Sequence, residues 1–268
     1  MRTGDYIYVV ADDERELGVF PAQGDGPGRL ERFLPGELPA DPAERKAEKP
    51  DVEALAFLPG ALLALGSGSK PNRRAGVLWD LDARGALAGE PRRLDLRPLY
   101  DELDRDIPDL NIEGAAVSAG QLLLFQRGNG RGAVNAVVAL DLAAVFDALA
   151  EGRLDPGAIT ETRHHDLGKV DGVRLCFTDA TSLHDGRIVF TAVAERGEDT
   201  YRDGECVGSG VGMLDASGDV TAWNPLDPAL KVEGIEARHD GGEITLLLVA
   251  DPDDRQAPSF LHAAPLPV

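Results

Sequence analysis

The sequence predicts an all-β fold, a single β-propeller of five blades over residues 1–268, on three observations. Four short segments each place an acidic residue at the start of a small-and-apolar strand: Val52-Glu53-Ala54-Leu55-Ala56, Ile112-Glu113-Gly114-Ala115-Ala116, Thr178-Asp179-Ala180-Thr181 and Val232-Glu233-Gly234-Ile235. Their acids lie 60, 66 and 54 residues apart, and self-similarity at such a period marks a repeated supersecondary unit. Each acid-bearing strand is followed by a turn, a second apolar run and usually a third. Four-stranded antiparallel units repeated at this spacing are propeller blades, which must stack because each sheet alone buries too little.

The second strands are Ala61-Leu62-Leu63-Ala64-Leu65, Gln121-Leu122-Leu123-Leu124-Phe125, Arg187-Ile188-Val189-Phe190-Thr191 and Ile244-Thr245-Leu246-Leu247-Leu248-Val249. They are reached through Pro59-Gly60, Ser118-Ala119-Gly120, His184-Asp185-Gly186 and His239-Asp240-Gly241-Gly242, where glycine supplies the positive φ that hairpin turns need. Third strands follow at 76–81, 137–142 and 211–215, and weaker fourth strands at 91–96 and 220–223. At the N-terminus, Tyr6-Ile7-Tyr8-Val9-Val10-Ala11-Asp12-Asp13 matches Leu247-Leu248-Val249-Ala250-Asp251-Pro252-Asp253-Asp254, with Gly18-Val19-Phe20 as a third strand and no acid-bearing first strand ahead of it. Six blades would result if residues 30–50 or 142–166 held degenerate strands. The run 142–152 instead predicts a short helix inserted between blades, stopped by Gly152.

With 27 basic and 47 acidic residues the chain carries a formal charge of −20. That excludes nucleic acid and anionic membranes as expected partners, because both are bound through Lys and Arg. Residues 1–5 lead directly into a strand-like run, so no signal peptide is expected, and no run approaches a membrane span. Cys176 and Cys206 are expected as reduced thiols on different strands of one blade. A cytoplasmic monomer follows as the expectation.

In a propeller the start of each first strand and the end of each second strand lie on one face. Glu53, Glu113, Asp179 and Glu233 are therefore expected around one channel mouth. Surrounding them are the segments after the second strands, with Ser67, Ser69, Lys70, Asn72, Arg73, Gln126, Arg127, Asn129, Arg196 and Arg255 as ligand-binding candidates. Two carboxylates about 6 Å apart repel by roughly 3 kcal/mol at an effective dielectric near 20, so the acids need compensation. A divalent cation with oxygen ligands, Ca²⁺ by donor type, is one solution; bridges to Lys70 or Arg73, Arg127, Arg196 and Arg255 are the other.

Further polar groups weigh less. His164-His165-Asp166 is expected in a solvated loop, and His184 and His239 in turns on the opposite face. The Gly66-Ser67-Gly68-Ser69-Lys70 stretch lacks the spacing and following helix of a nucleotide P-loop, but its amides and Lys70 suit a small anion.

The strands Glu113-Gly114-Ala115 and Glu233-Gly234-Ile235, each followed by a hairpin and an apolar strand, resemble the bacterial propellers grouped as esterase-like phytase domains and, more distantly, calcium-dependent lactonase propellers. The segment from Asp51 to Leu81 is similar to an uncharacterised bacterial propeller family. The resemblance implies a channel calcium with Glu113 and Glu233 as ligands, Glu53 and Asp179 following by repeat position, and Asp179 as a general base. The implied function is Ca-dependent hydrolysis of a small ester, lactone or phosphoester. The alternative is a non-catalytic propeller that binds a small anion or a protein, with its acids neutralised by arginines.

Overall fold

Short apolar runs separated by glycine turns fold as the pattern predicts. In the computed structural model, which describes residues 1–24, 26–130, 132–196, 204–252 and 257–266, five sheets follow one another along the chain. The first comprises β1 (Arg2–Thr3), β2 (Tyr6–Val9), β3 (Glu16–Pro21) and β4 (Arg29–Arg32), and is followed by helix α1 (Pro42–Glu48). The second comprises β5 (Val52–Leu58), β6 (Ala61–Gly66), β7 (Ala75–Leu81) and β8 (Leu87–Asp95), followed by α2 (Arg97–Leu103). The third comprises β9 (Ile112–Ser118), β10 (Gln121–Gln126), β11 (Asn135–Asp141) and β12 (Ile159–His165), with α3 (Leu142–Ala150) between its last two strands. A two-stranded hairpin, β13 (Lys169–Val170) and β14 (Val173–Arg174), comes next. The fourth sheet comprises β15 (Cys176–Ser182), β16 (Ile188–Arg196), β17 (Glu205–Leu214) and β18 (Val220–Pro225); the fifth comprises β19 (Val232–Asp240), β20 (Glu243–Ala250) and β21 (Phe260–Leu266).

In every sheet, strands adjacent in sequence are adjacent in space. This is the blade meander, and the fold is a five-bladed β-propeller. The first sheet opens on a strand of only two residues that carries no acid, in keeping with the expectation of no acid-bearing first strand there; Gly4 at φ +54° turns the chain so that Thr3 pairs with Tyr6. Several details differ from the sequence reading. Residues 30–50 hold the end of β4 and α1, while 142–166 hold α3 and β12, so neither stretch adds a sixth blade. Helix α3 is an insertion within a blade, not between blades; Asp141 caps it by accepting from the Ala144 amide at 2.9 Å. His164 and His165 lie on β12 instead of in a loop, and His165 packs edge-on to Phe177. His239 ends β19, whereas His184 is in a turn as expected.

The chain divides into two compact units, residues 1–106, 110–112 and 140–159, and residues 107–109, 113–139 and 160–268. The first unit packs the two N-terminal sheets face to face through Tyr8, Leu17, Leu62, Val77 and Trp79, with Phe33 edge-on to Trp79 at 5.7 Å. The second unit has a core around Phe125, Phe177 and Phe190, whose rings meet at 5.0–5.3 Å, and another around Val189, Met213, Ile235 and Leu248. Glycine is required opposite Phe190, since a Cβ on Gly212 would lie 2.1 Å from that ring. No described helix is long and apolar enough to cross a membrane.

Candidate functional site

The acid position of the repeat is a β-bulge. Pairing of the first with the second strand skips a residue between Val52 and Ala54, between Phe177 and Asp179, and between Val232 and Gly234. A bulge leaves one residue unpaired and re-aims its side chain. The bulged residues are Glu53, Thr178 and Glu233, so the fourth sheet's counterpart of the glutamates is Thr178, one position before the expected Asp179. Thr178 Oγ1 donates to the Val232 carbonyl at 2.7 Å and lies 3.0 Å from Thr191 Oγ1, within hydrogen-bond range. Asp179 lies where the other repeats have Ala54, Gly114 and Gly234. Its Oδ2 accepts from the Ile235 amide at 2.8 Å and its Oδ1 from its neighbour Ala180 at 2.7 Å. Strand crowding is real at Gly114, whose missing Cβ would stand 2.9 Å from the Asp179 Cα.

In the first unit the polar candidates collect around Asp51, which is buried and held at φ +55°. Its carboxylate accepts from Arg73 Nη1 at 2.8 Å, from Ser67 Oγ and from Ser69 Oγ at 3.3 Å, and Lys49 Nζ lies 2.7 Å away. Burial works against the charge, but Lys49 and Arg73 outweigh it and hold Asp51 below the ordinary carboxylate range. Asn72 donates to the Ala47 and Lys49 carbonyls, and Arg73 Nη2 to that of Lys46. Ser67, Ser69, Asn72 and Arg73 are thereby engaged with Asp51 and the end of α1, while Lys70 stands just before the Pro71–Arg73 turn. Oxygens of Asp12, Asp51 and Glu53 approach within 4.8 Å of one another, a spacing that could hold a cation. The cation there is Lys49, whose ammonium pairs with both Asp12 and Asp51.

In the second unit the charges form a ladder. Arg127, just past β10, donates through Nη1 to Glu113 Oε2 at 3.0 Å and through Nη2 to Glu195 Oε2 at 2.6 Å. Lys231, just before β19, places Nζ 3.2 Å from Glu233, 3.6 Å from Asp251 and 3.7 Å from Glu195. Burial pushes the Glu233 carboxyl up to about 7 despite Lys231 and Arg127. Burial likewise lifts Asp179 to about 7 against its two amide donors. The acids thus meet tethered cations or amide donors, and this donor set does not fit a calcium ion among them. Glu113 and Glu233 are brought into one ladder; Glu53 belongs to the Lys49 cluster of the first unit.

Beside the ladder is a cavity of about 520 Å³. Among the described residues, buried Arg127 and the exposed side chains of Lys169, Arg174 and Arg196 supply four cations to its wall, against the carboxylate of Glu195. The β13–β14 hairpin, turned at Gly172 with φ +80°, forms one side. Arg174 is fixed by the Ala133 and Gly130 carbonyls at 2.7 and 3.0 Å. Asn135 ties this loop to β15, accepting from the Gly128 and Phe177 amides. Cys176 also lines the cavity, and burial pushes its thiol up, so it is protonated at neutral pH. Of the expected ligand set, Arg127, Asn129 and Arg196 meet here. Gln126 is engaged with the Asp109 and Arg127 carbonyls, and Arg255 lies outside the described residues.

Sequence reasoning missed Lys49, Lys231, Lys169 and Arg174; it placed Glu195 at the mouth, in the segment after the third of the four second strands it identified, but gave it no role. A signal for three of them exists: Lys49, Arg174 and Lys231 stand one to three positions before a first strand, ahead of Val52, Cys176 and Val232.

The model of a family of unknown function (DUF6929) matches residues 1–266. The chain belongs to that family. No curated protein matches it. Among solved structures it is similar to a luciferin-regenerating enzyme, with 11% identity over 88% of this chain and 64% of that one and a TM-score of 0.40. The periplasmic gluconolactonase of Pseudomonas aeruginosa is similar at 15% identity, 93% and 62% coverage and a TM-score of 0.40. Apo AztD from Citrobacter koseri follows at 7% identity, 93% and 67% coverage and 0.31. The chain spans less than two thirds of the length of the first two. Likenesses this distant bear on neither site nor function.

Proposed function

We propose that the second unit binds a small anionic molecule in the cavity beside Arg127. The observation that supports this reading is charge placement: in a chain of net charge −20, the described residues that line this cavity include four basic side chains and one acid. Cations lining a concave wall focus the potential there and draw an anion against the repulsion of the whole molecule. About 520 Å³ lies within the usual small-molecule range of roughly 300–1,000 Å³. Arg127 is pre-oriented by two carboxylates and Arg174 by two carbonyls, so binding costs little side-chain ordering. The test is thermal unfolding at low ionic strength with inorganic phosphate, glucose 6-phosphate, citrate and glutarate. At least one should raise the midpoint of the wild type and not that of Lys169→Glu/Arg196→Glu. No shift with any of them contradicts the reading. The free thiols Cys176 and Cys206 support placing this activity in a reducing compartment such as the cytoplasm.

Hydrolysis is a second reading, favoured by the Glu233 and Asp179 carboxyls, which titrate near neutrality on the neighbouring strands β19 and β15. Glu233 is the better acid–base group, because both oxygens of Asp179 already accept from amides. A panel of small esters, lactones and phosphoesters tests it: turnover lost in Glu233→Gln with an unchanged melting midpoint supports hydrolysis, and undiminished turnover refutes it.

A further inference from the structure

We infer that the ligand of this cavity is a zwitterion of the α-amino-acid class, a deepening that rests on the anion-binding reading above. Among the described residues, two side-chain oxygens are buried without a hydrogen-bond partner, Asn129 Oδ1 and Glu195 Oε1, the latter reached only by the Lys231 ammonium at 3.7 Å. Both belong to residues that line the cavity. A third such atom on the same wall is Arg127 Nε, a donor.

A buried acceptor without a hydrogen-bond donor is costly, and the Asn129 oxygen together with the incompletely met Glu195 oxygen defines what a ligand must bring. A plain anion satisfies Lys169, Arg174 and Arg196 but brings no donor to Asn129 and is repelled by Glu195. An ammonium group reverses both effects, since a carboxylate bonds most strongly to a charged donor. The carboxylate of the same molecule then faces the exposed cations of the hairpin and of the end of β16. The terminal torsions of Asn and Glu side chains are broad, so each oxygen can turn toward such a ligand. A polar site of this kind discriminates strongly against an analogue lacking the donor, because its own groups are then left unpaired.

Matched pairs test this by isothermal titration of the full chain at pH 7: L-glutamate against glutarate, and L-alanine against propionate, with gluconate as an anion that offers only hydroxyl donors. The amino acids should bind at least tenfold more tightly than their deaminated partners. Asn129→Leu should abolish that preference without lowering the melting midpoint of the free protein. Glutarate or gluconate binding as tightly as L-glutamate overturns the zwitterion assignment and leaves the anion reading standing. A preference that survives in Asn129→Leu overturns it as well. If neither these probes nor phosphate and citrate bind, both readings fall.

Discussion

Arg127 Nη2 lies 2.6 Å from Glu195 Oε2, and both side chains line the same cavity. The pair joins two features of the second unit. On one side the guanidinium also holds Glu113, and the Glu195 carboxylate approaches Lys231, forming a charge ladder that crosses the third, fourth and fifth sheets. On the other side the cavity wall adds three exposed cations. The ladder pairs the acids with tethered cations, and it fixes the buried arginine that lines the cavity.

Removing that arginine leaves two buried carboxylates facing each other. Arg127→Leu should lower the unfolding free energy by about 3–5 kcal/mol, the usual cost of breaking a buried pair from one side. Urea denaturation measures it. A loss below about 1 kcal/mol would mean that the ladder is not a buried network.

Lys49 occupies the space between Asp12 and Asp51 that a cation would take. Millimolar Ca²⁺ should therefore leave the melting midpoint of the wild type unchanged. Lys49→Ala should expose three carboxylates with oxygens within 4.8 Å of one another and give a Ca²⁺-dependent rise, because a ligand bound only by the native state stabilises it. A rise of equal size in the wild type would contradict the tethered-lysine account.

The blades are legible in the sequence because hairpin glycines and apolar runs recur at a near-constant period. The site is less so, for identifiable reasons. A bulge shifts the register by one residue, so that Thr178, not Asp179, corresponds to Glu53 and Glu233. Reading acids by type therefore selects Asp179, one position past the bulge. Compensation was sought after the second strands, where Arg127 does lie, but Lys49 and Lys231 come from the segments before the first strands. The cavity depends on the β13–β14 hairpin, whose two-residue strands are too short to give a periodic signal. Serines beside Gly66 and Gly68 suggested an anion loop; burial of Asp51 redirects them inward.

The Thr178 hydroxyl links two sheets through the Val232 carbonyl. Thr178→Val keeps the shape and removes the donor, leaving a buried acceptor short of a partner. Chemical denaturation should show a loss of about 1–2 kcal/mol. A neutral result would assign that contact no role in holding β15 to β19.

Stability should also depend on pH through Asp179. Burial raises its folded carboxyl from 3.8 to about 7, so between those values the folded state holds a proton that the unfolded state releases. The stabilisation is fully present below about pH 4 and is lost as pH rises through 7. Between pH 5 and pH 8 the wild type should lose on the order of 2 kcal/mol relative to Asp179→Asn, at about 1.4 kcal/mol per pKa unit. Parallel pH profiles for the two proteins would show that Asp179 is already ionised when folded.

The central claim is that the cationic cavity of the second unit captures an anion, and isothermal titration of citrate at a series of KCl concentrations tests it most directly. The account predicts saturable binding at one site, weakening as salt screens the wall and abolished in Lys169→Glu/Arg196→Glu with the fold intact. Citrate binding with equal affinity in the charge-reversed variant, or no binding by citrate, phosphate, glucose 6-phosphate or glutarate at any salt concentration, would contradict it.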